Sequence, residues 1–96
     1  MVLHCLAVPP SHPALADCLA TAGPEDTILL LGDGVYNALP GSEACAALQN
    51  HKAAVVVLAQ DAAAMGVATD PSAFAQIDMP GFVQLTETYP RQLAWY

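Results

Sequence analysis

An apolar run that ends directly in a glycine turn constrains the fold of this chain more than any other feature. Thr27–Leu31 is aliphatic from its second residue on, without polar alternation, which is typical of a parallel strand covered on both faces. Gly32-Asp33-Gly34 follows at once. In α/β proteins a turn of this kind lies at the carboxyl edge of the sheet, where binding sites are built. The sequence therefore predicts an α/β fold with a candidate site at this turn.

Strand-like and helix-like segments alternate along the rest of the chain. The predicted strands are Val2–Ala7, Thr27–Leu31, Ala53–Ala59, Phe74–Ile77 and a short edge strand at Leu93–Tyr96. The predicted helices begin at polar caps or turns, namely Ser11 or His12 before Pro13, then Pro40-Gly41-Ser42, Asp61 and Asp78. Strands that alternate with helices imply right-handed crossovers and parallel pairing. We therefore expect a single domain over residues 1–96, with a mainly parallel four- to five-stranded sheet flanked by helices.

The Gly32-Asp33-Gly34 turn admits two interpretations. Its backbone N–H groups could bind an anion or contact a partner, because a strand precedes the turn and a helix is expected after it. Alternatively, the turn needs glycine only to reach a positive φ angle, and its role is then structural. The turn lacks both the glycine spacing of a dinucleotide site and the lysine of a phosphate loop, so nucleotide binding is a weak hypothesis.

The chain carries little charge, and most of that charge is negative. Charged residues make up 11% of the sequence, compared with about 25% in typical domains, while 55% of the residues are hydrophobic. The net charge is −7, and Lys52 and Arg91 are the only fixed cations. This balance argues against direct binding of nucleic acid or of anionic membrane surfaces, because both depend on clustered cations.

The low charge raises the question of what covers the apolar surface. Small alanine side chains at the surface are one answer, and a partner subunit is the other. We favour the partner, because the large aromatic side chains do not hide easily in so small a core. The residues that we predict to form the interface are Tyr36, Phe82, Trp95 and Tyr96.

The cysteine pattern predicts reduced thiols in the cytoplasm. Cys5, Cys18 and Cys45 are odd in number and widely spaced, and no charged segment precedes the first apolar run. Cys18 is the candidate catalytic thiol, but it lies on the apolar stripe of the first predicted helix, which favours a buried structural role. No cysteine or histidine spacing matches a zinc site, so we expect neither a metal nor a cofactor.

A series of short motifs runs along nearly the whole chain. The motifs are Leu3-His4, Leu29-Leu30-Leu31-Gly32-Asp33-Gly34-Val35, Gln60-Asp61, Met65-Gly66-Val67, Ile77-Asp78, Phe82-Val83-Gln84-Leu85-Thr86, Tyr89-Pro90 and Trp95. In order and spacing this series resembles the DsrH/TusB family. The chain departs from that family at Ala7-Val8-Pro9-Pro10, where members often have a basic residue after the first strand. A contact through that basic side chain is therefore missing here.

The resemblance implies a DsrE-like fold and a role in sulfur relay. It implies that the chain joins DsrE/TusD-like and DsrF/TusC-like subunits in a cytoplasmic heterohexamer. Such a complex passes persulfide sulfur from a TusA-like donor to a TusE- or DsrC-like acceptor. The expected end point is 2-thiolation of the wobble uridine of tRNA, as in the TusB-like branch. The alternative is dissimilatory sulfur oxidation, as in the DsrH-like branch.

The resemblance also bears on the role of Cys18. The main sulfur-carrying cysteine of the family lies on the DsrE/TusD-type subunit, which implies that this chain is an auxiliary subunit. DsrH-type members resemble this chain in having a cysteine at the position of Cys18, which makes Cys18 the candidate sulfur carrier here. Two other hypotheses stay open, namely a freestanding small thiol enzyme that uses Cys18 and an interaction module without a role in sulfur transfer.

Overall fold

A five-stranded sheet with all strands parallel organises the computed structural model, which describes every residue from Met1 to Tyr96. The strands are β1 Val2–Leu6, β2 Thr27–Leu30, β3 Ala54–Leu58, β4 Ala75–Ile77 and β5 Arg91–Trp95. The helices are α1 Ala14–Thr21, α2 Glu43–Gln49, α3 Ala59–Ala64 and α4 Met79–Thr88, and a 3-10 helix spans Gly32–Ala38. The α/β fold with a parallel sheet, expected from the sequence, is confirmed.

The strand order in the sheet is β4-β3-β2-β1-β5. The chain therefore builds the sheet outward from β1 to β4 and then returns through α4 to place β5 on the other side of β1. β5 is an edge strand that pairs with β1 in register from Val2↔Arg91 to Leu6↔Trp95. The predicted edge strand is confirmed and begins two residues earlier than expected. α4 follows β4 after a single residue, Asp78.

The two faces of the sheet bury very different numbers of side chains. On the main face, Leu6, Ile28, Leu30 and Val57 belong to a core of 16 buried residues that includes parts of α1, the 3-10 helix and α2. On the opposite face, which we call the α4 face, only Leu3, Leu29 and Leu58 are buried. Phe82 and Leu85 of α4 and its C-cap Tyr89, all partly buried, cover them. All four residues of β2 are buried, which confirms that this strand is covered on both faces.

Two of the predicted helix caps are confirmed. The Ser42 hydroxyl accepts a hydrogen bond from the Cys45 N–H at 3.1 Å at the start of α2. The Asp78 carboxylate accepts one from the Gly81 N–H at 2.9 Å at the start of α4. Both bonds satisfy an amide that has no partner inside its own helix.

The other two predicted caps are wrong. The N-cap of α1 is Pro13 rather than Ser11 or His12, although the His12 imidazole accepts a hydrogen bond from the Ala14 N–H. Asp61 does not cap α3, because β3 continues into that helix without a turn and Leu58 becomes the N-cap. The Asp61 carboxylate lies in the first turn instead, and it is free to bond elsewhere.

Candidate functional site

The Gly32-Asp33-Gly34 turn directs its glycine amides into the protein. Gly32 has a φ of 53°, which favours glycine, and its N–H donates to the Asp61 carboxylate at 2.7 Å. The Gly34 N–H donates to the carbonyl of Leu31 at 2.9 Å. Both glycine amides therefore have a partner within the chain, which fits the structural interpretation of the turn better than an anion cradle. The Asp33 side chain is exposed.

Gly34 allows the 3-10 helix to pack directly on the end of β1. A Cβ atom at this position would lie 1.9 Å from the carbonyl oxygen of Leu6, a distance that no side chain tolerates. Asn37, which is buried, donates from its amide nitrogen to the carbonyls of Val8 and Gly34, both at 2.9 Å. The turn thus joins the carboxyl ends of β1 and β2, and Asn37 is a residue of this junction that sequence reasoning missed.

The candidate thiol Cys18 lies inside the main core with no exposed surface. Burial raises the pKa of Cys18 to about 11, because an apolar environment disfavours the thiolate. Cys45 is also buried in the main core, whereas Cys5 is partly buried on the α4 face, where desolvation raises its pKa. A thiol attacks as the thiolate, so the environment of Cys18 in this conformation suits packing better than nucleophilic chemistry.

The structure does not gather the predicted interface aromatics into one patch. Tyr96 is 84% exposed, whereas the other three are partly buried against the protein itself. Phe82 packs on the α4 face, and Tyr36 and Trp95 pack on the main core. The Tyr36 hydroxyl also donates to the Met65 sulfur at 3.7 Å. Tyr96 is therefore the one member of the set that is fully available to a partner.

A partly buried polar chain of Asp26, His4 and Trp95 was not anticipated from the sequence. The His4 Nε2 lies 3.0 Å from the Asp26 Oδ2, and the Trp95 indole N–H donates to the His4 Nδ1 at 3.1 Å. The Trp95 and His4 rings also stack, with centroids 6.1 Å apart. The one available signal was a histidine within an otherwise apolar strand.

Asp26 holds several parts of the molecule together. Its carboxylate accepts hydrogen bonds from the Gly23 N–H and the Val2 N–H, both at 2.9 Å, in addition to its contact with His4. The Gly23 amide and then the His4 side chain lower the pKa of Asp26 to about 2, because they bond to its charged form. The carboxylate therefore stays ionised at neutral pH and joins the start of β1 to the loop before β2.

Three of the large apolar side chains that are exposed to solvent lie on α4 and β5. Val83 is 50% exposed and Met79 41% exposed on α4, and Leu93 is 42% exposed on β5.

No helix is long and apolar enough to cross a membrane. The chain places no three His, Cys, Asp or Glu side chains together in a way that could hold a metal ion.

Comparison with known proteins gives matches along nearly the whole chain. A family model described as "DsrH like protein" matches residues 9–92. The protein TusB of Yersinia pestis strain Pestoides F is 40% identical over 95 residues, which are 98% of this chain and 100% of that protein. The protein TusB of Pectobacterium parmentieri is 38% identical with the same coverage.

Solved structures show the same architecture. Protein Tm0979 from Thermotoga maritima, determined by NMR in solution, superposes with a TM-score of 0.69 at 27% identity, covering 92% of this chain and 93% of that one. The ychN protein from E. coli superposes with a TM-score of 0.68 over 98% of this chain and 97% of its own, and at 15% identity it shows the fold alone. Sequence and fold thus agree with the motifs along the chain, and the chain belongs to the DsrH-like family.

Proposed function

We propose that this chain is an auxiliary subunit of a cytoplasmic heterohexameric sulfur-relay complex. The observation that carries the proposal is the match to TusB proteins at 40% identity over 98% of the chain. In the proposed complex, persulfide sulfur passes from a TusA-like donor to a TusE-like acceptor and then toward 2-thiolation of the tRNA wobble uridine. The DsrE/TusD-like and DsrF/TusC-like subunits are the direct partners.

The environment of Cys18 supports an auxiliary role over a sulfur-carrying one. A sulfur carrier must expose its sulfur atom to the thiols of two successive proteins, because each transfer is an attack of a thiolate on a persulfide. Cys18 has no exposed surface, and burial raises its pKa to about 11. We therefore propose that the cysteine that carries sulfur lies on the DsrE/TusD-like partner.

We assign the contact with the partners to the apolar surface around Tyr96 and α4. Tyr96, Val83 and Met79 are the exposed large apolar side chains of this part of the chain. Aromatic side chains are frequent anchors of interfaces, and only 11% of the residues are charged, so few charges need to be desolvated in an apolar contact. Phe82 lies beneath the α4 part of this surface, since it packs on the three buried leucines of the α4 face, whereas Trp95 packs on the main core on the other face of the sheet.

A DsrH-like role in sulfur oxidation is the second candidate. It is favoured by the description of the matching family model and by the cysteine at position 18. The two candidates differ in the acceptor protein, which is TusE-like in the first and DsrC-like in the second. Transfer to one acceptor and not to the other distinguishes them.

The proposal is tested by expressing the chain with and without DsrE/TusD-like and DsrF/TusC-like subunits and weighing the products by native mass spectrometry. We expect a heterohexamer that contains this chain, with added sulfur on the DsrE/TusD-like subunit and none on this one. Tyr96→Ala should weaken the assembly, whereas the matched control Tyr36→Phe, which keeps the ring and removes only the hydroxyl, should assemble normally. A lone monomer that ignores both partners contradicts the proposal.

A further inference from the structure

The partly buried Asp26–His4–Trp95 chain fixes the tautomer of the neutral histidine. An indole N–H can only donate, so the His4 Nδ1 that receives it must carry a lone pair. The proton of the neutral imidazole therefore lies on Nε2, from which it is donated to the Asp26 carboxylate at 3.0 Å. A second proton has one place to bind, Nδ1, and that place is occupied by the Trp95 hydrogen bond.

The Trp95 contact is also the main side-chain attachment of β5. Four of the five residues of this strand are exposed, and Trp95 alone is partly buried. On one side the strand pairs with β1, and on the other it has no neighbour. The other side-chain bond of the strand, from Gln92 to the carbonyl of Thr86, is exposed. Loss of the Trp95 bond therefore leaves β5 held by its backbone ladder and by the apolar packing of the Trp95 ring on the main core.

Protonation of His4 would leave its contact with Asp26 in place. Asp26 is the one carboxylate at ion-pair distance from the imidazole, and its pKa of about 2 keeps it ionised over the range in which histidines titrate. α1, which packs on β1 and β5, contributes Asp17, which is exposed, and Cys18, which is buried and neutral. β5 contributes Arg91, which is exposed. A charged imidazole thus keeps its counterion at Nε2, and the cost of the new proton falls on the Trp95 bond.

We propose that Asp26, His4 and Trp95 form a proton-sensitive clasp that controls how firmly β5 is attached to the sheet. A proton from solvent binds the lone pair of the His4 Nδ1, the indole N–H loses its acceptor and keeps its own proton, and the Nε2–H bond to Asp26 remains. Trp95 then keeps its ring packing but loses its hydrogen bond to His4, and the end of β5 is held less firmly on β1. Because Tyr96 follows Trp95 directly, the clasp acts on the exposed end of the chain, and it does so whether or not the proposed complex forms.

The full chain is tested by NMR between pH 7.5 and pH 5. The ring nitrogens of His4 should report the neutral form with the proton on Nε2 at the higher pH and a proton on both nitrogens at the lower pH. Over the same range, hydrogen-exchange protection of the β5 amides, corrected for the intrinsic rate, should fall by roughly tenfold, the equivalent of one lost hydrogen bond. Unchanged β5 protection, or a His4 ring that stays neutral at pH 5, overturns the clasp.

Two variants separate the clasp from a general effect of acid. Trp95→Phe keeps an aromatic ring without a donor, so its β5 protection should be low at both pH values and should not change with pH. His51→Gln alters a histidine that bonds elsewhere, to Leu19 and Ala53, and should keep the full pH response of β5. A Trp95→Phe protein that loses β5 protection on acidification as the unmodified chain does also overturns the proposal.

Discussion

The two faces of the sheet differ in how many side chains they bury. The main face contributes to a core of 16 buried residues together with α1, the 3-10 helix and α2, whereas the α4 face has a cluster of three buried residues. The side chains of the main core are excluded from water, and most of the stability should arise there. α4 itself has no buried residue, and its Val83 and Met79 project into solvent. A parallel sheet can therefore specify its fold mainly from one face and leave apolar side chains exposed on the other, where we propose the partner contact.

Matched leucine truncations on the two faces should show the largest contrast. Leu30→Ala removes a fully buried side chain from the main core and should lower the free energy of unfolding by about 4 kcal/mol. Leu85→Ala removes a partly buried side chain of α4 and should cost about 1 kcal/mol. Urea unfolding of both variants measures the difference. Equal losses would break the comparison between the faces.

Gly34→Ala should cause the second-largest loss of stability, because the residue lies against the carboxyl end of β1, where that strand contributes to the main core. Its added Cβ would lie 1.9 Å from the Leu6 carbonyl oxygen, so the 3-10 helix must move. We expect a loss of about 3 kcal/mol. Gly41→Ala is the control, since a Cβ there meets no atom within 4 Å and the cost is limited to its positive φ. A Gly34→Ala protein as stable as the control contradicts the close packing.

Loss of the Asp26 hydrogen bonds should lower the free energy of unfolding by a smaller amount that depends on pH. The folded pKa of Asp26 is about 2, below the value of about 3.9 in an unfolded chain, so its contribution is present above pH 4 and is lost as the pH falls through 2. Asp26→Asn should therefore cost about 1 to 2 kcal/mol at pH 6 and much less near pH 2. Unfolding of both proteins at the two pH values measures this, and a cost that does not vary with pH would assign the loss to packing alone.

Val83→Ser should have the smallest effect on stability. It tests whether the exposed surface of α4 is used for assembly rather than for folding. The side chain is 50% exposed, so the free energy of unfolding should change by less than about 0.5 kcal/mol. Co-elution with the proposed partner subunits should nevertheless weaken, because the substitution removes apolar surface that we assign to the contact. Ala63→Ser, an exposed position on α3, serves as the control for a surface hydroxyl. Normal assembly of Val83→Ser would move the contact away from α4.

Local patterns in the sequence predicted most of the fold, because short apolar runs, glycines and caps such as Ser42 and Asp78 act within a few residues. The Asp61 cap failed since no local signal reports that β3 continues into α3. The bond between His4 and Trp95 joins residues 91 positions apart, and only the crossover through α4 brings them together. The large size of Phe82 and Trp95 led to their assignment to an interface, but it did not reveal that both side chains are partly buried within their own chain.

The role of Cys18 is the most direct test of the account. Persulfide transfer from the donor to the acceptor should be measured through heterohexamers that contain either the unmodified chain or Cys18→Ala, with Cys45→Ala as a second buried cysteine for control. An auxiliary subunit predicts equal transfer rates in all three complexes. Loss of transfer with Cys18→Ala alone, in a heterohexamer that still assembles, would make this chain a sulfur carrier and contradict the account.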